Sequence, residues 1–282
     1  MRFEGIGVPW EIETAMPLDA AVQNAILERV EAYDRAWSRF RTDSLVARIG
    51  REPGEWRLPA EAGALLALYR ELYEATDGRM SPLVGASLDR LGYGAGLSLR
   101  PSGDPLPAIG WEDAIAWDGS VLSAPRPVSI DVGAAGKGQL CDLVGDVLRE
   151  HGIEEFVVDA SGDILRRGGG TIRVALEHPA DPSLAVGLVE LGDGAICASA
   201  TNRRSWGDGV HHILDALTGF PVDDIVATWA IAADAMTADG VATALFLTPG
   251  ERIPSALGAE WAKISASGRI EVSDGFPGEV FT

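Results

Sequence analysis

The chain has 282 residues, 46% hydrophobic and 23% charged, an ordinary globular composition with enough length for one large domain or two small ones. Its formal net charge is -19, and no basic cluster stands out, so the surface repels polyphosphate chains and nucleic-acid binding is set aside as a function class. An anionic small molecule would need a metal ion or local backbone donors to offset that repulsion.

No apolar run approaches the roughly 18 residues needed to span a bilayer, so no membrane insertion is expected. The segment MRFEGIGVPWEIET has neither an apolar stretch nor a small-residue cleavage site, and the expected location is the cytoplasm. Cys141 and Cys197 form no CxxC and no zinc spacing, and both read as core filler.

In chain order, Asp19 reads as an N-cap. Val22, Ile26, Val30, Tyr33 and Trp37 then form an apolar stripe that predicts a helix over 19–37. Leu65, Leu68, Tyr69 and Leu72 predict a second helix over 61–76, stopped by TDG. The Pro- and Gly-rich stretch 97–127 predicts loops with a short strand or hairpin. Val128 to Val132 reads as a strand, Gly133 to Gly138 as a small-residue loop, and Leu140 to Leu148 as a helix. Strands follow at 156–158, 171–176, 185–191 and 225–233, and a small-residue helix at Met236 to Leu247. Strands outnumber long helices without regular alternation, which predicts an α+β fold: mixed sheets with packed helices.

Four segments could carry chemistry. In SIDVGAAGKG (129–138) a strand runs through small residues into a helix start. Backbone N–H groups and Lys137 could meet a phosphate there, although the segment also suits a plain strand-to-helix turn. It is neither GxxxxGK[ST] nor GxGxxG. In ASGD (160–163) Gly162 permits an unusual backbone angle and Asp163 could accept from a ribose hydroxyl; an ordinary turn fits equally. In VHHILDALTG (210–219) His212 could act as a general base, or both histidines could be turn residues. In TADGVATA (237–244) Asp239 and Thr243 lie four apart on one helix face, two oxygen ligands suited to Mg²⁺, though an Asp near a helix start is also common.

Taken together, these segments resemble the ApbE-type FAD:protein FMN transferase family from about 3 to 247. WSRFRTDSLVARI (37–49) is similar to its aromatic-Ser-x-aromatic segment, and TDGRMSPLVGASLDRLGYG (76–94) to the segment ending in Trp-Gly-Phe-Gly. SIDVGAAGKGQLCD resembles D-x-G-G-x-A-K-G-Y-x-x-D, and ASGDI resembles the G-G-D-I turn. CASATNRRS with HHILDALTGFP resembles A-S-S-x-x-x-R with H-I-x-D-P-x-T-G-x-P, and TADGVATALF the A-D-x-x-A-T-A helix.

The resemblance implies an ApbE-like flavin transferase fold. It implies one domain over 1–282 with two interlocked subregions, approximately 1–127 and 128–282. It further implies Mg²⁺-dependent transfer of FMN from FAD onto a Ser or Thr of an acceptor protein, with release of AMP. The implied metal ligands are Asp239, Thr243 and the carbonyl of Ala134. Asp131, Lys137 and Asp163 would contact FAD, Phe40 would stack on a nucleotide ring with Gly92 and Tyr93 nearby, His212 would activate the acceptor, and Asp215 would hold its loop. Hydrolysis of FAD to FMN and AMP, or FAD binding without catalysis, would use the same residues. The chain departs from the pattern at Ser81, Leu91, Ala134, Gly136, Gln139, Ala216 and Leu217, which bears chiefly on acceptor recognition.

Overall fold

Period-two alternation sets the architecture of the largest sheet. Along the strand Gly194–Ala200, Ile196 faces one side and Ala195, Cys197 and Ser199 the other; along Ile225–Ala232, Ala227 and Trp229 face one side and Thr228 and Ala230 the other. The computed structural model describes residues 1–207 and 209–281, and the chain divides into two units.

The first unit comprises 1–31, 135–203 and 223–282. Its largest sheet pairs eight strands antiparallel in the spatial order Arg2–Gly5, Val8–Thr14, Phe156–Asp159, Asp163–Arg167, Gly194–Ala200, Ile225–Ala232, Glu260–Ser265 and Ile270–Val272. A three-stranded sheet of Ile172–His178, Asp181–Leu191 and Gly278–Val280 covers one face. Leu176, Val189, Leu191, Ile196, Trp229 and Ile264 close an apolar core between them. The helices Gly136–Glu150 and Ala235–Ala244 pack on the other face, where the Thr228 hydroxyl donates to the Ala242 carbonyl at 2.6 Å.

The second unit comprises 32–134 and 204–222. It holds the helix Ala62–Ala75, several short helices, the small sheet Gly54–Arg57, Val121–Ala124 and Ala116–Trp117, and the ribbon Ser205–Trp206 with Val210–His211. Leu88, Leu91, Trp206 and Leu214 form a core cluster there.

Several expected boundaries hold closely. The first helix is Ala20–Trp37, and Asp19 accepts the Val22 N–H at 2.9 Å as its cap. The second ends where Asp77 and Gly78 turn left-handed and the Gly78 N–H reaches the Tyr73 carbonyl at 2.7 Å. The strand expected over Val128 to Val132 is a correction: the segment belongs to no sheet. Its N–H groups go singly to nearby carbonyls, Val128 to Ile49 at 3.2 Å and Asp131 to Pro82 at 2.7 Å. β-Branched content produced the expectation, but among the described residues no strand pairs with the segment to make a ladder. Among the described residues, no helix is long and apolar enough to cross a membrane.

Candidate active site

In the first unit, the residues A-M-T-A-D-G-V-A-T-A form the helix Ala235–Ala244, whose small side chains let neighbours approach closely. Closest is Gly138, where an added Cβ would stand 2.1 Å from the Ala235 carbonyl oxygen and 2.8 Å from Asp239 Cβ. The Asp239 carboxylate is buried and accepts the Gly138 N–H at 2.9 Å through Oδ2, satisfying one of the free donors in the first turn of the 136–150 helix. Thr243 follows one turn after Asp239, and its Oγ1 lies 3.4 Å from Ser199 Oγ. The donors here are a carboxylate and hydroxyls, hard oxygens that fit Mg²⁺ and not a soft ion. No group of three or more His, Cys, Asp or Glu gathers among the described residues, so a metal held here would complete its shell with substrate oxygens, backbone carbonyls or water.

Beside that helix, Lys137 forms an ion pair with Asp163, whose side chain has 0% exposure. Asp163 opens the strand Asp163–Arg167 after a turn in which Ser161 and Gly162 take φ of 59° and 100°, with the Gly162 N–H donating to Asp159 Oδ1 at 2.9 Å. Burial works against the Lys137 charge, but Asp163 and then Asp239 hold the ammonium above its ordinary range. Cys141 and Cys197 are both buried, and burial pushes their thiols well above the usual value, so neither is poised as a nucleophile.

In the second unit, Arg39 organises most of what the sequence singled out. Its side chain is only 6% exposed. Nε donates to Asp131, one terminal nitrogen donates to Asp89 at 2.9 Å, and the other donates to the Tyr93 carbonyl. The guanidinium also lies 4.6 Å from the Phe40 ring centre. Asp131 further accepts the Gly133 N–H at 2.7 Å. Burial opposes its charge, yet Arg39 and that N–H keep the carboxyl below the usual range. Phe40, 38% exposed, meets Tyr93 edge-on at 5.3 Å, and Tyr93 stacks on Trp206 at 5.1 Å with 14° between planes. The Trp206 indole donates to the Leu91 carbonyl at 2.8 Å, which fixes this row. Gly92 has φ of 91°, and a Cβ there would stand 2.4 Å from the Arg100 nitrogen, so the turn before Tyr93 requires glycine.

The two adjacent histidines have different surroundings. His211 is buried, with Nε2 2.7 Å from the Val222 carbonyl and Nδ1 accepting the Ile213 N–H at 3.2 Å, which is structural bonding. His212 Nδ1 is enclosed and has no hydrogen-bond partner among the described residues. Burial, helped by the charge of Arg204 and by His211, lowers the His212 pKa to about 3 despite Asp131. Its ring is therefore neutral near pH 7, and the same burial makes it a weak base in the ligand-free protein. Asp215 braces the following loop: Arg79 donates to it at 2.8 Å, and it accepts the Leu217 N–H at 2.9 Å.

The sequence-derived residues thus fall into two sets. Lys137, Asp163, Asp239 and Thr243 lie in the first unit, and Phe40, Gly92, Tyr93, Asp131, Ala134, His212 and Asp215 in the second, where the Ala134 N–H donates to the Tyr69 hydroxyl at 3.2 Å. Sequence reasoning assigned no role to Arg39, Trp206 or Ser199. Arg39 stood in view between Ser38 and Phe40, but nothing in a single sequence ties it to Asp131, 92 positions away.

The fold defines a class first. The crystal structure of the ApbE protein from Thermotoga maritima superposes with a TM-score of 0.84 at 24% identity, covering 97% of this chain and 96% of that one. The flavin transferase ApbE from Vibrio cholerae gives 0.83 at 23% identity, over 98% and 97%. These are α+β proteins of one fold, as expected from the sequence.

Residues 6–266 match the ApbE family, and the chain belongs to it. Among curated relatives, a Vibrio cholerae protein named FAD:protein FMN transferase is 29% identical over 90% of this chain and 81% of its own length. A Treponema pallidum protein of the same name is 26% identical over 88% and 78%.

Proposed function

We propose that this protein transfers FMN from FAD to a Ser or Thr hydroxyl of an acceptor protein and releases AMP, with Mg²⁺ bound by Asp239 and Thr243. The observation that carries this reading is the buried Asp239 carboxylate with the half-buried Thr243 hydroxyl one turn on along the 235–244 helix, in a family whose relatives bear the name of that activity. Bound there, Mg²⁺ would neutralise pyrophosphate charge, which suits a chain of net charge -19.

The chain's own residues supply the rest. Asp131 and Lys137 contact the dinucleotide, and Phe40, partly exposed, supplies an aromatic ring for a nucleotide base or flavin to stack on. His212, neutral at working pH, takes the proton of the acceptor hydroxyl. That oxygen bonds to the FMN phosphorus as the bond from this phosphorus to the bridging oxygen breaks, and AMP leaves with the electron pair. Asp215 holds the loop that carries His212.

The test is AMP release from FAD in the presence of Mg²⁺ and an acceptor bearing a flavinylation motif. The expected result is release that EDTA and Asp239→Ala both abolish. AMP release that persists in Asp239→Ala would refute the metal assignment.

A further inference from the structure

Asp142, the last residue of the SIDVGAAGKGQLCD segment, lies on the 136–150 helix and has no part in the reading above. Its carboxylate grips the start of the 235–244 helix with both oxygens: Oδ1 accepts the Ala235 N–H at 2.9 Å and Oδ2 accepts the Met236 N–H at 2.8 Å. Asp234 accepts the Thr237 N–H at 2.8 Å. Three of the four donors that a helix start leaves unpaired are thus taken by carboxylates.

The grip is reciprocal. Gly138 and Asp142 are one turn apart on one helix, and Ala235 and Asp239 are one turn apart on the other. Gly138 donates to Asp239, and Ala235 donates to Asp142. The missing side chain at Gly138 lets the two backbones come close enough for both bonds. Two helices clasped at two points about 6 Å apart along each axis can neither slide nor rotate without breaking a bond. Burial pushes the Asp142 carboxyl up to about 7, so the fold holds this group where water would suit it better. An apolar contact would pack the helices without fixing their register.

We propose that Asp142 is a positioning residue for the metal-binding helix: its two-pronged cap sets the register of the 235–244 helix and so fixes where Asp239 and Thr243 present their oxygens. The proposal rests on the metal assignment above, deepening it.

The test measures Mn²⁺ binding with FAD saturating, by the electron paramagnetic resonance signal of the free ion, alongside the melting temperature of the metal-free protein. Asp142→Asn keeps one acceptor and turns an N–H₂ toward a backbone N–H. It should weaken metal binding about 10- to 100-fold. Asp234→Asn, which keeps an oxygen for the Thr237 N–H and leaves both bonds of the Asp142 cap in place, should weaken it far less. A lowered melting temperature in Asp142→Asn with unchanged Mn²⁺ affinity would make the residue merely structural and overturn the proposal. A wild-type protein that binds no Mn²⁺ would instead refute the metal assignment itself. The wild type also provides a test independent of variant folding: by reciprocity, metal added to the FAD-bound protein should slow hydrogen exchange at the Ala235 and Met236 amides. Unchanged exchange at both would overturn the proposal.

Discussion

Replacing Lys137 by Met leaves the Asp163 carboxylate alone in the interior of the first unit. The side chain of Asp163 has 0% exposure and that of Lys137 17%, so solvent can do little to compensate. Met matches the length of the Lys stem, and the lost group is the ammonium. Removing one partner of a buried pair costs about 3–5 kcal/mol, most of it the penalty of the stranded charge. At ~2–4 °C per kcal/mol for a chain of this size, the melting temperature should fall by ~6–20 °C. Asp163→Asn combined with Lys137→Met removes the stranded charge and should recover more than half of the loss, a coupling a double-mutant cycle reads directly. Urea unfolding of the wild type, both single variants and the double variant at pH 7 is the assay. A Lys137→Met loss below about 1 kcal/mol, or a double variant no more stable than that single one, would refute the buried ion pair.

Gly92→Ala should cost about 1–3 kcal/mol in urea unfolding, because φ of 91° and a Cβ 2.4 Å from the Arg100 nitrogen both oppose a side chain; a neutral substitution would contradict that turn. Arg39→Lys keeps the charge but loses the fork that joins Asp131, Asp89 and the Tyr93 carbonyl. FAD affinity by fluorescence titration should fall about tenfold or more, and an unchanged dissociation constant would separate Arg39 from the ligand. His212 has a folded pKa near 3 against an ordinary 6.5, so the folded state holds the neutral ring. Its contribution to stability is intact above pH 6.5 and is lost as pH falls from there toward 3, with a slope of up to ~1.4 kcal/mol per pH unit. His212→Gln should flatten the stability curve between pH 6 and 4; an unchanged slope would show that the ring is not held neutral.

The parts of the fold visible in the sequence are those written locally. Asp19 announced a helix because a capping carboxylate acts within three residues, and TDG announced a stop because a left-handed glycine acts within five. Val128 to Val132 failed for the opposite reason: strand identity depends on a neighbour, and β-branched residues also suit an extended segment pinned by single bonds. The candidate site divides in the same way. Asp239 and Thr243 could be paired from helical spacing alone. The row of Phe40, Tyr93 and Trp206, the Arg39 to Asp131 bond and the Asp142 cap join residues tens to about a hundred positions apart. Side-chain chemistry was legible there, but which groups meet was not. Even the adjacent His211 and His212 separate only in three dimensions, where one is consumed by backbone bonding and the other keeps an enclosed nitrogen.

The central claim is group transfer to a protein, and intact-mass analysis of an acceptor incubated with the enzyme, FAD and Mg²⁺ tests it most directly. The account predicts an added FMN on one Ser or Thr, formed in step with one AMP per acceptor and absent from reactions with Asp239→Ala. AMP and free FMN accumulating while every acceptor offered remains unmodified would contradict it and leave a hydrolase.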